Sequence, residues 1–218
     1  MGINQYKIYS RLDHVLLSKP IGKEMKLHEV LIARSSSRNF TGEAMGIDTL
    51  SSILFYSAGG IERVEKNRKV VYRRPYPSAG ARYPLEIYPL VIHGDKDLPK
   101  ALYHYNPLSH SLAVLLKKIT LKEFKSVWLG QAWAAKASII LLITAVYERT
   151  SSKYGNKGIG FCLLEAGHLA QNIYLVCQDV GVGCCAIGKL REEIVTEILD
   201  LKPEEEIPLY YLAIGLTY

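Results

Sequence analysis

"RRPYPSAGARYPLEIYPLV", Arg73 to Val91, sets two demands side by side. Four prolines break it, and two of them, Pro75 and Pro77, with the side-chain-poor Ser78-Ala79-Gly80, argue against a helix in its first half. The second half opens "LEIYPLVIH", a strand that belongs in a core, with Pro89 pointing to an edge position or a bulge. Small residues set between prolines, directly ahead of a core strand, let other groups approach the backbone closely. What approaches it is the question the rest of the chain must answer.

Outward from this stretch, hydrophobic periodicity predicts the other elements. A helix runs from Leu27 to Arg34, with Leu27, Val30 and Leu31 on one face. "IDTLSSILFYSAGG" is a second helix, with Asp48 able to cap it, Leu50, Ile53, Leu54 and Ser57 aligned, and Gly59-Gly60 as its stop. Ala101 to Leu116 reads as a hairpin turning at Asn106-Pro107. "SIILLITAVYE" is apolar on both faces, as a central strand requires. The strongest helix follows from Gly158, with Ile159, Cys162, Leu163, Ala166, Ala170, Ile173 and Cys177 as its apolar stripe. Glu165, His168, Asn172 and Asp179 fall on its other side. "REEIVTEILDL" and "LYYLAIG" close the chain as helix and strand. This mixture lacks the strict alternation of a doubly wound sheet, so the expected class is α+β, a central sheet with helices on both sides. No repeat or linker interrupts residues 1–218, which predicts a single domain with 1–26 as an N-terminal extension.

Composition narrows the function. At 218 residues and 49% hydrophobic, the chain can bury a proper core and is not a disordered segment. Its longest apolar run, Ala137 to Val146, is too short for a bilayer, and the N-terminal stretch has no apolar signal core, so a cytoplasmic protein without a membrane partner is expected. The four cysteines make no C-x-x-C and read as buried free thiols. Glu165 and His168 have E-x-x-H spacing, but a carboxylate-bridged metal pair needs a second such motif, so no metal is expected and the pair reads as a hydrogen-bonded polar face. The net charge of +6 concentrates in "ERVEKNRKVVYRR", Glu62 to Arg74. Glutamates interrupt it and it holds one aromatic, so it reads as a solvated loop or as an attractor of an anionic cofactor, and nucleic acid is not an expected partner.

Two further motifs carry chemistry. In "ARSSSRNF", Arg34, Ser36 and Arg38 alternate, so an extended segment would point all three one way, as a phosphate site requires; a polar loop with ordinary surface arginines is an equal reading. "GVGCCAIG", Gly181 to Gly188, follows a helix and is not the strand-to-helix dinucleotide fingerprint. Its glycines permit approach to a flat ligand, or make a turn.

Together, "RSSSRNF", "PSAGARYPLEIY" and "GVGCCAIG" resemble the FMN-dependent nitroreductase superfamily. "PSAGARYPLEIY", "LYHYNP" and "KYGNKG" followed by "LLEAGHLAQNIYL" resemble its SagB-type dehydrogenase branch, which includes azoline oxidases; the likeness runs from about Leu27 to Gly215. The resemblance implies a nitroreductase-like fold with a mixed, mainly antiparallel central sheet. It implies that Arg34, Ser35, Ser36 and Arg38 take the FMN phosphate and ribityl chain, and that Pro77, Ser78, Ala79 and Gly80 lie against the flavin. Ala186, Ile187 and Gly188 would present backbone amides to the isoalloxazine edge, including N5. Lys153 and Tyr154 match the Lys-Tyr pair of azoline oxidation, where a lysine near a flavin, desolvated, serves as base; a surface pair at a helix start is the other reading. Two departures stand out: Leu216 and Thr217 replace a basic residue that reaches the phosphate in relatives, and Lys189-Leu190 replace a small-aromatic pair. The implied protein is a homodimeric FMN oxidoreductase that passes hydride through N5, acting on a small molecule or a modified peptide in azoline-to-azole dehydrogenation. A NAD(P)H-dependent nitro or quinone reductase and a flavin-free basic module that binds RNA or a peptide are the alternatives.

Overall fold

The computed structural model describes residues 6–18, 20, 25–66, 69–117, 131–188 and 191–218. Its centre is a seven-stranded sheet in the order β1-β6-β5-β4-β7-β9-β8, from β1 (His14–Leu16), β4 (Leu85–Val91), β5 (Leu102–Asn106), β6 (Ser111–Leu116), β7 (Ile139–Val146), β8 (Gly183–Ile187) and β9 (Glu206–Gly215). Every neighbouring pair is antiparallel. The expected α+β class with a mainly antiparallel sheet is what the molecule adopts.

The period of two along β7 divides the core. Ile139, Leu141, Ile143 and Ala145 join one apolar cluster, while Ile140 and Leu142 join the other, so the two clusters lie on opposite sheet faces. Helix α2 (Ile47–Ala58) covers the first face with Leu50, Ile53, Leu54 and Ala58. Beside it lies the long helix α4 (Gly158–Val180), which contributes Cys162, Ala166, Leu169, Ala170, Ile173 and Cys177. The second face is covered by Ala134 and Ala137 around a 3-10 turn and by Val195 of α5 (Glu192–Ile198). Two short helices complete the set: α1 (Leu27–Ala33) packs on α4, and α3 (Glu148–Tyr154) leads into it.

Several local expectations change in the structure. Asp48 does not cap α2: Gly46 holds that position, and Asp48 sits in the first turn, where its carboxylate suits the helix dipole and accepts a 2.6 Å bond from Ser18 Oγ. Pro89 is not at an edge, because β4 lies between β5 and β7. The Val91 N–H donates to Ala101 O, and strand alternation turns the Pro89 nitrogen to that same side, where β4 and β5 are in register at Leu90↔Leu102. The proline thus withholds one rung from an interior seam. The basic stretch is not a loop but an antiparallel ribbon, β2 (Glu62–Lys66) with β3 (Lys69–Arg73), carrying exposed Arg63–Glu65 and Arg73–Glu62 pairs. Of the expected α1 face only Val30 is buried, while Leu27 and Leu31 are exposed. On α4, Ile159 and Leu163 are exposed and Glu165 is buried, the reverse of the predicted faces.

Candidate functional site

Two groups of predicted residues come together at opposite ends of α4. The first surrounds the turn before β4. Gly80, Ala81 and Tyr83 all adopt left-handed backbone, with φ of +64°, +54° and +45°. Only glycine takes that region without steric cost. A Cβ built on Gly80 would stand 2.9 Å from Tyr154 Oη and 3.0 Å from Lys153 Nζ. The "PSAG" turn and the Lys-Tyr pair, some seventy positions apart in sequence, therefore share one surface. Lys153 Nζ lies 5.1 Å from the Tyr154 ring centre, and that ring packs 4.8 Å from Phe161. Lys153 is exposed, so the desolvation expected of a neutral lysine base is not supplied by this single chain.

Behind the turn the chain buries titratable groups. Ser78 Oγ accepts the Tyr83 N–H at 2.8 Å and also bonds Glu165, which is 3% exposed. Burial pushes the Glu165 carboxyl up to about 7, against the pull of Ser78, Arg74 and Arg149. Its Oε1 has no hydrogen-bond partner among the described residues. Glu86 shows the opposite balance. Burial alone would raise it, but the His104 hydrogen bond at 2.7 Å and the guanidinium of Arg149 at 2.6 Å outweigh that and hold it at about 2. Arg149 and Glu86 were not singled out by sequence. The one available signal was an arginine four residues before Lys153, hence on the same helix face.

The second group surrounds the β8 edge, where one tyrosine organises the expected contacts. Tyr174 Oη accepts the Ala186 N–H at 2.6 Å and lies 3.2 Å from Ser36 Oγ, while the Arg34 guanidinium sits 5.3 Å over its ring. Tyr174 was missed in the sequence, although it adjoins Ile173 on the helix face that Ala170 and Cys177 mark as buried. Arg34, Ser36 and Arg38 do not share one partner: Arg38 stands 5.7 Å over Trp133. Tyr174 packs on the first core cluster and Trp133 on the second. Of the three "AIG" amides, that of Ala186 is taken by Tyr174 and Ile187 pairs with Tyr211 of β9. Gly188 follows with the outward direction of Ala186 and has no protein acceptor among the described residues.

Between these residues opens a cleft of about 230 Å³, lined by Ser35, Ser37, Tyr174, Gln178, Gly183 and Thr217 among others. Ser37 N–H donates to Cys184 O at 2.9 Å, and Phe40 bridges Thr217. Gly183 is required there, since a Cβ would come within 2.4 Å of the Thr217 methyl. The position where a basic residue was expected thus places a threonine in the cleft. Lys189 and Leu190, the other departure, lie outside the described residues. Among those described, no three His, Cys, Asp or Glu form a metal-holding group.

The Nitroreductase family model matches residues 31–216, which takes in both groups. The chain belongs to the nitroreductase family. Within that family it is 36% identical over 203 residues to MJ1384 of Methanocaldococcus jannaschii, a protein named as a nitroreductase, covering 93% of this chain and 97% of that one. It is 28% identical over 141 residues to the microcin B17-processing protein McbC of Escherichia coli, which is 63% of this chain but only 52% of McbC. The solved E. coli McbBCD microcin synthetase complex, with truncated pro-MccB17 bound, matches the fold with a TM-score of 0.70 and 23% identity, over 97% of this chain and 78% of that one. With peptide-processing proteins among its relatives, the chain sits on the SagB-like side of the family.

Proposed function

We propose that this chain is an FMN-dependent oxidoreductase that dehydrogenates an azoline ring in a modified peptide. The observation that carries the reading is the meeting of Gly80 with Lys153 and Tyr154: a backbone without side chain, facing a base and a hydroxyl. The residues present fit a flavin mononucleotide. Arg34 and Ser36, beside the Ser35–Ser37–Thr217 cleft, suit its phosphate, with Arg38 as a second cation and Thr217 giving a hydroxyl in place of the charge found in relatives. Pro77, Ser78, Ala79 and Gly80 offer close backbone approach to the ring. Beyond Ala186 and Ile187, whose amides are engaged, Gly188 offers an outward N–H to the ring edge. Tyr174 and Glu165 are separated by about 14 Å of helix rise, comparable with an extended FMN. Bound FMN would supply the hydride-accepting N5, which no side chain of this protein can replace.

The chain's own contribution is acid–base and positional. Lys153 takes the proton that leaves the azoline carbon, and Tyr154 orients the ring or relays that proton. Lys153 is exposed in the single chain, so substrate or a second subunit must cover it to exclude water from the reacting centre. A homodimer meets that need, and α1 and α4 expose Ile32, Leu163 and Leu164 for such a contact. McbC, named for microcin B17 processing, supports the modified-peptide substrate over a free small molecule. Four free, buried cysteines suit a reducing, cytoplasmic setting.

The test uses one protein and two assays. Purified chain mixed with FMN should acquire bound-flavin absorbance; none would leave the flavin-free binding module. Lys153→Ala should keep FMN and lose azoline-peptide oxidation by about 10²–10⁴-fold, the usual loss with a general base. Nitroaromatic reduction by NAD(P)H without azoline oxidation, in the unmutated protein, would instead establish the reductase reading.

A further inference from the structure

Nothing in the proposed chemistry employs the buried charges behind the turn, yet they join its parts. Arg149 is 3% exposed and forks two ways. Its Nη2 lies 2.6 Å from Glu86 Oε1 on β4, and its Nη1 donates to the Tyr83 carbonyl at 3.2 Å. Glu86 is held on its other oxygen by His104 Nε2 at 2.7 Å. Tyr83 is bonded at two further points: its N–H to Ser78 Oγ, and its hydroxyl from the Arg74 N–H at 3.2 Å. A non-glycine residue keeps left-handed backbone only when its surroundings over-determine it, and Tyr83 has bonds at amide, carbonyl and side chain.

The other end of this arrangement is α3, a helix of seven residues that cannot stand on its own propensity. Its buried residues are Arg149 and Thr150, and Lys153 follows Arg149 by one helical turn. We propose that Arg149 is a positioning residue whose guanidinium, bound at once to Glu86 and to the Tyr83 carbonyl, sets the gap between the strained turn and the helix carrying Lys153 and Tyr154. The inference rests on the reading of Lys153 and Tyr154 as the catalytic pair. A lysine cannot do the same work, since it is a point charge without the planar fork.

The experiment compares Arg149→Lys and Arg149→Met with wild type and Lys153→Ala. Amide exchange is followed by mass spectrometry without cofactor, and azoline-peptide oxidation with FMN. Arg149→Lys should remain folded and speed exchange in 77–85 and 147–154 together, while β7 keeps its protection. Its kcat should fall about tenfold to a hundredfold, with KM little changed, as displacement of a reacting group by about 1 Å does. A purely structural role would instead raise exchange throughout, β7 included, and that result overturns the proposal. So does faster exchange in only one segment, or in neither. If Arg149→Met fails to fold, Arg149→Lys still decides. Should Lys153→Ala retain full oxidation, the catalytic reading fails, and the paired exchange alone judges the clamp.

Discussion

Glu165 shows how far a residue's role depends on what surrounds it. In sequence it pairs with His168 as part of a polar face; in the structure His168 is exposed and Glu165 is buried against Ser78. No helical period could reveal this, because the face of α4 that meets the turn is chosen by the turn, not by hydrophobicity. The burial has a measurable consequence. A carboxyl raised from 4.5 to about 7 stabilises the fold fully below pH 4.5 and loses that contribution as pH rises through 7. Glu165→Gln, which mimics the protonated form, should match wild type in acid and exceed it above pH 8 by roughly 3 kcal/mol at most. Chemical denaturation across pH checks it, and parallel curves for the two proteins would refute a titrating Glu165. Glu86 has the opposite sign: held at about 2, its contribution is present above 4.5 and fades as pH falls toward 2. Both proteins should share that acid limb.

At the scale of elements, the turn 77–83 was legible and its neighbours were not. Proline and glycine announce a tight backbone wherever they stand, so Ser78-Ala79-Gly80 could be read directly. Resemblance set the turn and the Lys153–Tyr154 pair each beside a flavin, but that they face one another, and that Arg149 ties them together, shows only in the folded chain, because contacts between distant segments leave no local pattern. β7 was legible for the converse reason: eight positions, seven of them apolar and without alternation, have one place in a sheet. The misread elements, Pro89 in an interior strand and the β2–β3 ribbon, are cases where tertiary pairing overrides local preference. Gly80→Ala tests the turn as a unit. Left-handed backbone costs an alanine about 1–2 kcal/mol, and its methyl meets Tyr154 Oη and Lys153 Nζ. Stability should fall by that amount while oxidation falls much further. Loss of stability alone would show that the turn and the Lys-Tyr pair are neighbours without shared work.

For the whole molecule, the exposed apolar residues of α1 and α4 form a surface that the fold does not use internally. Ile32 is 84% exposed and Leu164 61%, far more than a long aliphatic side chain in a finished interface retains. Sedimentation should give a dimer for the unmutated chain, and Ile32→Asp with Leu164→Asp should shift it toward monomer with the melting curve still cooperative. A wild-type monomer that binds FMN at full stoichiometry would remove the second subunit from the site.

The β8 edge has one more consequence. A seven-stranded sheet that never closes has two open borders, and an open border invites another chain to pair with it. Here the border at β8 is occupied by two residues that line the neighbouring cleft: Ser37 takes the Cys184 carbonyl, and Tyr174 takes the Ala186 amide. The segment proposed to face the cofactor is therefore also a guard against self-association into aggregates. Evolution and engineering meet the same constraint at this rim: a substitution that frees Tyr174 or withdraws Ser37 to admit a new ligand also uncovers a template for unwanted strands, and such variants would first betray themselves by falling out of solution.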